Sequence, residues 1–178
     1  VNNFIIWFIL FNFVFMNMII ESTLLTLKKS KSILLKLSNK ELSDASVSPY
    51  YSSIGTHIRH IFDFYDCSLK FNDKGKVDLT SRERKLSVEV CCKSSLEYYD
   101  IIINRLNNIK DSNIKHIKVI DDLGTGKIEI DYTFDALLSQ ANSHTIHHYA
   151  IIGYILDRLN IKIEDSGFGY NPTTPKEN

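Results

Sequence analysis

The chain lacks a surplus of charge of either sign, and it contains few cysteines. Lys and Arg together number 21, as do Asp and Glu, so the formal net charge is zero. The basic stripe typical of nucleic-acid binding is absent, and no nucleic-acid partner is predicted. The three cysteines include no C-x-x-C pair, and the adjacent Cys91 and Cys92 cannot close an unstrained disulfide. Reduced, mostly buried thiols are expected, which favours a cytoplasmic location.

The one long apolar run is VNNFIIWFILFNFVFMN at residues 1–17, which continues through Ile20. It is about long enough to span a membrane. Four asparagines interrupt it, no Lys or Arg precedes it, and no small-residue cleavage site follows it, so it makes a poor signal peptide. We interpret residues 1–17 as the product of a mis-assigned upstream start, with a membrane anchor, or a buried or disordered leader, as alternatives. Residues 18–178 are predicted to form a single domain, and a membrane partner is not favoured.

Apolar periodicity predicts four helices in that domain. The segment HIKVIDDLGTGKIEIDYTF instead alternates apolar and polar residues on both sides of Gly124 to Gly126, which predicts a β-hairpin. The predicted fold is therefore all-α, an up-and-down four-helix bundle with a small β-hairpin between helices 3 and 4. The predicted helices cover about 18–38, from Ser52 or Ser53 to about 69, from a cap at 78–81 to about 109, and about 134–159.

Five of the six histidines lie in two short segments, SSIGTHIRHIFDFYD and SHTIHHYAII. His144 and His148 are four residues apart and share one face of a helix, and His57 and His60 are three apart on another helix. A metal ion needs three or more converging lone pairs, which facing helices can supply. Two ligands from one helix and one from another leave coordination positions open, as catalytic metal sites do.

The segments IGTHIRHIFDFYDC and NSHTIHHYAIIGYIL resemble the signature segments of the DinB-like (YfiT-like) superfamily. The similarity runs from Met18 to the C-terminus and includes RERKLSVE and FGYNPTTP. It implies a four-helix bundle with a three-histidine metal site. The late ligand pair corresponds to His144 and His148, and the early ligand to His60, with His57 as the alternative.

Residues beside the ligands have expected roles as well, from the resemblance for His147 and from its spacing for Asp63. His147 and the remaining early histidine would support the ligands or face a substrate. Asp63 follows His60 by three residues on the same face and is a candidate to orient a histidine or to act as a base. The chain reads FDALLSQANSH where related proteins commonly carry an Arg-Glu pair, so a polar contact near the site is expected to differ. The catalytic residues stay unassigned.

The implied activity is transfer of a low-molecular-weight thiol to a small molecule, or hydrolysis of one, at a divalent metal ion. Zinc and nickel both suit imidazole ligands. The alternative is a non-catalytic, metal-stabilised helical module for binding or stress response. A homodimer is a further expectation from the resemblance alone.

Overall fold

The computed structural model describes residues 2–71, 75–109 and 116–175, with side chains from Met18 onwards. Within these residues the chain forms six helices and three strands. In chain order they are α1 (Asn2–Leu34), α2 (Asn39–Leu42), α3 (Ile54–Ser68), β1 (Lys76–Asp78), α4 (Leu86–Val90), α5 (Cys92–Ile109), β2 (His116–Asp122), β3 (Lys127–Thr133) and α6 (Phe134–Arg158).

The prediction of an all-α, up-and-down four-helix bundle is wrong, because a three-stranded mixed sheet accompanies the helices. The strand order is β1-β2-β3; β1 runs parallel to β2, and β2 runs antiparallel to β3. The predicted hairpin is present, but it is only part of this sheet. Strand β1 is three residues long, too short to show alternation in the sequence, and it exists because Val77 pairs with Val119 forty-two residues away.

The hairpin turn owes its shape to two glycines. Gly124 and Gly126 have φ values of +98° and +107°, which side chains rarely tolerate. The Asp122 carboxylate accepts hydrogen bonds from both glycine N–H groups, at 2.8 and 3.2 Å. This turn chemistry explains why the sequence pattern located the hairpin correctly.

The predicted long third helix is two helices. Cys91 is extended, with φ −136° and ψ 112°, and separates α4 from α5. Two side chains support the break: Asn39 Oδ1 accepts from Cys92 N at 2.9 Å, and Ser95 Oγ donates to Val88 O at 2.6 Å. The interruption brings α4 against the start of α3, where the chain contains Gly55.

Helix α6 lies against both α1 and α3. Tyr149 is buried at the contact of α6 with α1. Its hydroxyl donates to Thr26 O at 3.0 Å and lies 2.6 Å from Ser30 Oγ. At the contact of α6 with α3, Thr145 Oγ1 lies 3.3 Å from the hydroxyl of the buried Tyr65. These polar contacts inside an apolar core hold α6 in a defined rotation, which determines where its histidines point.

From Met18 onwards, no helix is long and apolar enough to cross a bilayer. The backbone of α1 begins at Asn2. The side chains of residues 1–17 lie outside the described part of the chain. The interpretation of this segment as a mis-assigned start, an anchor or a leader therefore stays a prediction.

Candidate metal centre

Helices α3 and α6 carry the histidine segments, and local capping sets where each helix begins. Ser53 Oγ accepts from Thr56 N at 3.1 Å and caps α3. Thr133 Oγ1 accepts from Ala136 N at 3.1 Å and caps α6. With both helices in register, the side chains of His57 and His60 face those of His144 and His148 across the α3–α6 contact.

His60, His144 and His148 form a group that can hold a metal ion, and we call it the histidine triad. His144 Nε2 lies 3.0 Å from His60 Nε2 and 3.1 Å from His148 Nε2. Nitrogen ligands at 2.0–2.1 Å in a tetrahedral site lie about 3.3 Å apart, so the observed spacing fits zinc-like coordination. The three rings are steeply inclined to each other, at 70°, 77° and 81°, so that their edges rather than their faces meet.

The triad is uncharged at neutral pH, as metal ligation requires. Burial, followed by the charge of Arg82, lowers the pKa of His60 to about 4. Burial, followed by His144, lowers the pKa of His148 to about 3. Burial likewise lowers the pKa of His144. Neutral imidazoles present lone pairs to a cation, whereas imidazolium rings would repel it.

The triad has no fourth protein ligand in the part of the chain that the structure describes. The metal-binding group there consists of three histidines, with no carboxylate or thiolate beside them. A structural zinc site usually has four protein ligands, and a catalytic one usually has three. The donor set therefore has the composition of an open site.

His57 lies behind His148 instead of beside the triad nitrogens. Its Nδ1 is 2.9 Å from His148 Nδ1, and its Nε2 is 2.9 Å from Ser52 Oγ. When His148 offers the lone pair of Nε2, its proton is on Nδ1 and donates to His57 Nδ1. His57 then carries its own proton on Nε2 and donates to Ser52. The three side chains form one hydrogen-bonded chain that orients a ligand.

His147 and Asp63, also singled out from the sequence, contribute no ligand atom to the triad. His147 is exposed, with its ring centroid 5.3 Å from that of His148. Asp63 is buried, and its carboxylate accepts from Arg59 Nη1 at 2.6 Å and Tyr98 OH at 3.3 Å. Asp63 thus pairs with an arginine and a tyrosine rather than with a histidine.

Arg59 has a role that the sequence pattern did not indicate. Its side chain is only 13% exposed and bridges Asp63 on its own helix and Glu89 of α4, whose carboxylate lies 2.5 Å away. Thr56 donates to the same Glu89 carboxylate at 3.2 Å. The RERKLSVE segment, which contains Glu89, was the available signal for this α3–α4 link.

Arg82, from the same segment, was also missed. Its Nη1 lies 3.4 Å from His60 Nδ1, and its Nε donates to Leu79 O at 3.0 Å. Arg82 is therefore positioned at the edge of the triad, across the His60 ring from the three Nε2 atoms.

The three cysteines are free thiols, as predicted. Cys67 is buried, and burial raises the pKa of its thiol to about 11. A protonated thiol of this kind is a small core residue and not a nucleophile.

No protein-family model matches the chain, and no curated protein matches it. The resemblance to the DinB-like superfamily therefore stays a prediction.

Proposed function

We propose that this protein is a divalent-metal-dependent enzyme of the DinB-like superfamily that activates a thiol or a water molecule for reaction with a small molecule. The observation that carries the proposal is the convergence of three neutral Nε2 atoms with no fourth protein ligand in the described residues. Such a donor set leaves positions for a nucleophile or a substrate.

His60, His144 and His148 would hold the ion, and because all three are uncharged they leave its full positive charge in place. A divalent ion there lowers the pKa of a bound water or thiol, or polarises a bound oxygen. The buried Phe64 packs against the His144 ring at 5.1 Å between centroids and makes that side of the site apolar. The Ser52–His57 pair keeps His148 in the tautomer that ligation needs.

The first experiment measures bound metal by elemental analysis after reconstitution with Zn²⁺ or Ni²⁺. We expect near-stoichiometric metal in the wild type and a loss of most of it in His60→Ala, His144→Ala and His148→Ala. His147→Ala is the matched control and should retain the ion, because its side chain is exposed and outside the triad. Metal bound equally by the wild type and the three triad variants would refute the site.

The second experiment tests turnover by the loaded protein in thiol-conjugation and hydrolysis panels that include the thiols of the host cell. We expect metal-dependent turnover that the triad variants lack. A loaded wild-type protein without activity in any panel would contradict the enzymatic proposal.

The alternative is a binding module that the ion stabilises without turnover. One observation favours it: His60 lies on α3 and His144 on α6, so an ion would join two packed helices. Cobalt substitution separates the two functions. An absorption spectrum that changes on addition of a thiol indicates an exchangeable position, and an unchanging spectrum indicates a closed structural site.

A further inference from the structure

We propose that the substrate of the metal centre carries an anionic group, and that Arg82 binds it. This inference rests on the proposed function and adds the chemical class of the ligand. It follows from the position of Arg82, from the lack of a counter-charge and from the protonation that ligation imposes on His60.

The guanidinium of Arg82 is held in place by the backbone. Its Nε donates to Leu79 O, and Leu79 is buried at the end of the sheet, next to β1. Its Nη1 lies 3.4 Å from His60 Nδ1. Arg82 thus lies directly beside a triad ligand of α3.

Arg82 has no acidic partner among the described residues. The two acidic residues of its own RERKLSVE segment, and Asp63 of α3, are already paired with other cations. Glu89 and Asp63 pair with Arg59, and Glu83 pairs with Lys70 at 2.7 Å and Lys85 at 3.0 Å. The Arg82 guanidinium therefore keeps further N–H donors from which a carboxylate ligand can accept.

Metal ligation would release Arg82 from His60. The Nδ1 atom of His60 can accept from Arg82 only while the His60 proton is on Nε2. As a ligand through Nε2, His60 carries that proton on Nδ1, and two N–H groups then face each other. The Arg82 donor becomes free for an external acceptor when the triad is loaded.

The charge of the loaded site also calls for an anion. Three neutral imidazoles, a divalent cation and Arg82 together carry about three positive charges with no carboxylate in the group. A ligand that carries both a thiol and a carboxylate would supply a donor for the ion and an anion for Arg82. Guanidinium and carboxylate match in charge and in planar geometry.

The test compares two thiols of similar length, 3-mercaptopropionate and the uncharged 2-mercaptoethanol, on cobalt-loaded protein. Binding is followed by the absorption change of the cobalt centre. We expect the wild type to bind 3-mercaptopropionate at least about tenfold more tightly. Arg82→Gln should lose that preference while its affinity for 2-mercaptoethanol and its cobalt content stay unchanged, and Arg82→Lys should keep part of it.

Arg84→Gln is the matched control, because Arg84 is an exposed arginine on the same segment, and this variant should keep the full preference. A wild type that binds the two thiols equally, or an Arg82→Gln variant that keeps the preference, would overturn the inference and leave the metal site intact. A chain that takes up no cobalt would instead refute the proposed function and this inference with it.

Discussion

His57 and His147 each neighbour a triad histidine, but their rings have different surroundings. His57 is partly buried and connects His148 Nδ1 to Ser52 through two contacts of 2.9 Å. His147 is exposed. Although chemically identical, the two residues should therefore contribute differently to metal binding.

We expect His57→Ala to lower metal affinity by about 10- to 100-fold without changing the stoichiometry. The reason is that His148 loses the acceptor for its Nδ1 proton and the group that holds its ring in place. Competition with a chromophoric chelator measures the affinity. Ser52→Ala should produce a smaller loss in the same direction.

His147→Ala provides the comparison for that experiment and should bind the metal with wild-type affinity. If His57→Ala and His147→Ala reduced the affinity equally, the chain from His148 to Ser52 would not orient the ligand. If His57→Ala abolished binding altogether, His57 would itself be a ligand.

Between elements, α3 and α4 approach each other closely at Gly55. A Cβ added to Gly55 would lie 2.0 Å from Glu89 O and 2.6 Å from Glu89 C, both backbone atoms that cannot rotate away. The same approach brings the Glu89 side chain to Arg59 and Thr56. The glycine therefore permits the contact that supports the histidine-bearing helix from outside.

We expect Gly55→Ala to reduce the free energy of unfolding by about 3 kcal/mol, because α4 has to move away from α3. Urea denaturation followed by circular dichroism measures the change. A second consequence should be weaker metal binding, since Arg59 and Glu89 would separate near His60.

Gly153→Ala is the control on the other histidine-bearing helix. A Cβ there would meet only Phe168 Cδ1, at 3.9 Å, an ordinary contact. Replacing glycine inside a helix should then stabilise the protein by about 0.5–1 kcal/mol. A Gly55→Ala variant as stable as the wild type would show that α4 adapts without cost.

At the scale of the whole molecule, the triad connects α3 to α6, and α6 also contacts α1. An ion bound only by the folded chain stabilises it by mass action. At a free metal concentration of 100 times the dissociation constant, the gain is about 2.7 kcal/mol. For a chain of this length, that gain raises Tm by roughly 5–10 °C.

Thermal unfolding with and without a chelator measures this linkage. The Tm of the wild type should fall when a chelator removes the metal. The Tm of His144→Ala should change neither with added metal nor with the chelator. A wild-type Tm that did not respond to Zn²⁺ or Ni²⁺ would mean that the folded chain does not bind these ions selectively.

The sequence predicted those parts of the fold that depend on local chemistry. The hairpin follows from alternation around Gly124 and Gly126, and α6 begins at Phe134 and ends at Arg158, close to the predicted limits. The sheet as a whole and the division of the third helix were not predictable in this way. Strand β1 depends on pairing with β2, and the break at Cys91 depends on Asn39 from α2, so both require partners distant in sequence.

The sequence by itself determined that His144 and His148 share a helix face, because a spacing of four residues matches the helical period. Only the tertiary structure decided whether His57 or His60 brings a ring nitrogen to the Nε2 atoms of this pair. The two are three residues apart on α3, and the rotation of α3 against α6 brings His60 Nε2 to His144 and places His57 behind His148. The tertiary structure also decided that Asp63 pairs with Arg59 and that Arg82 contacts His60. The partner of a side chain depends on which groups the fold brings next to it.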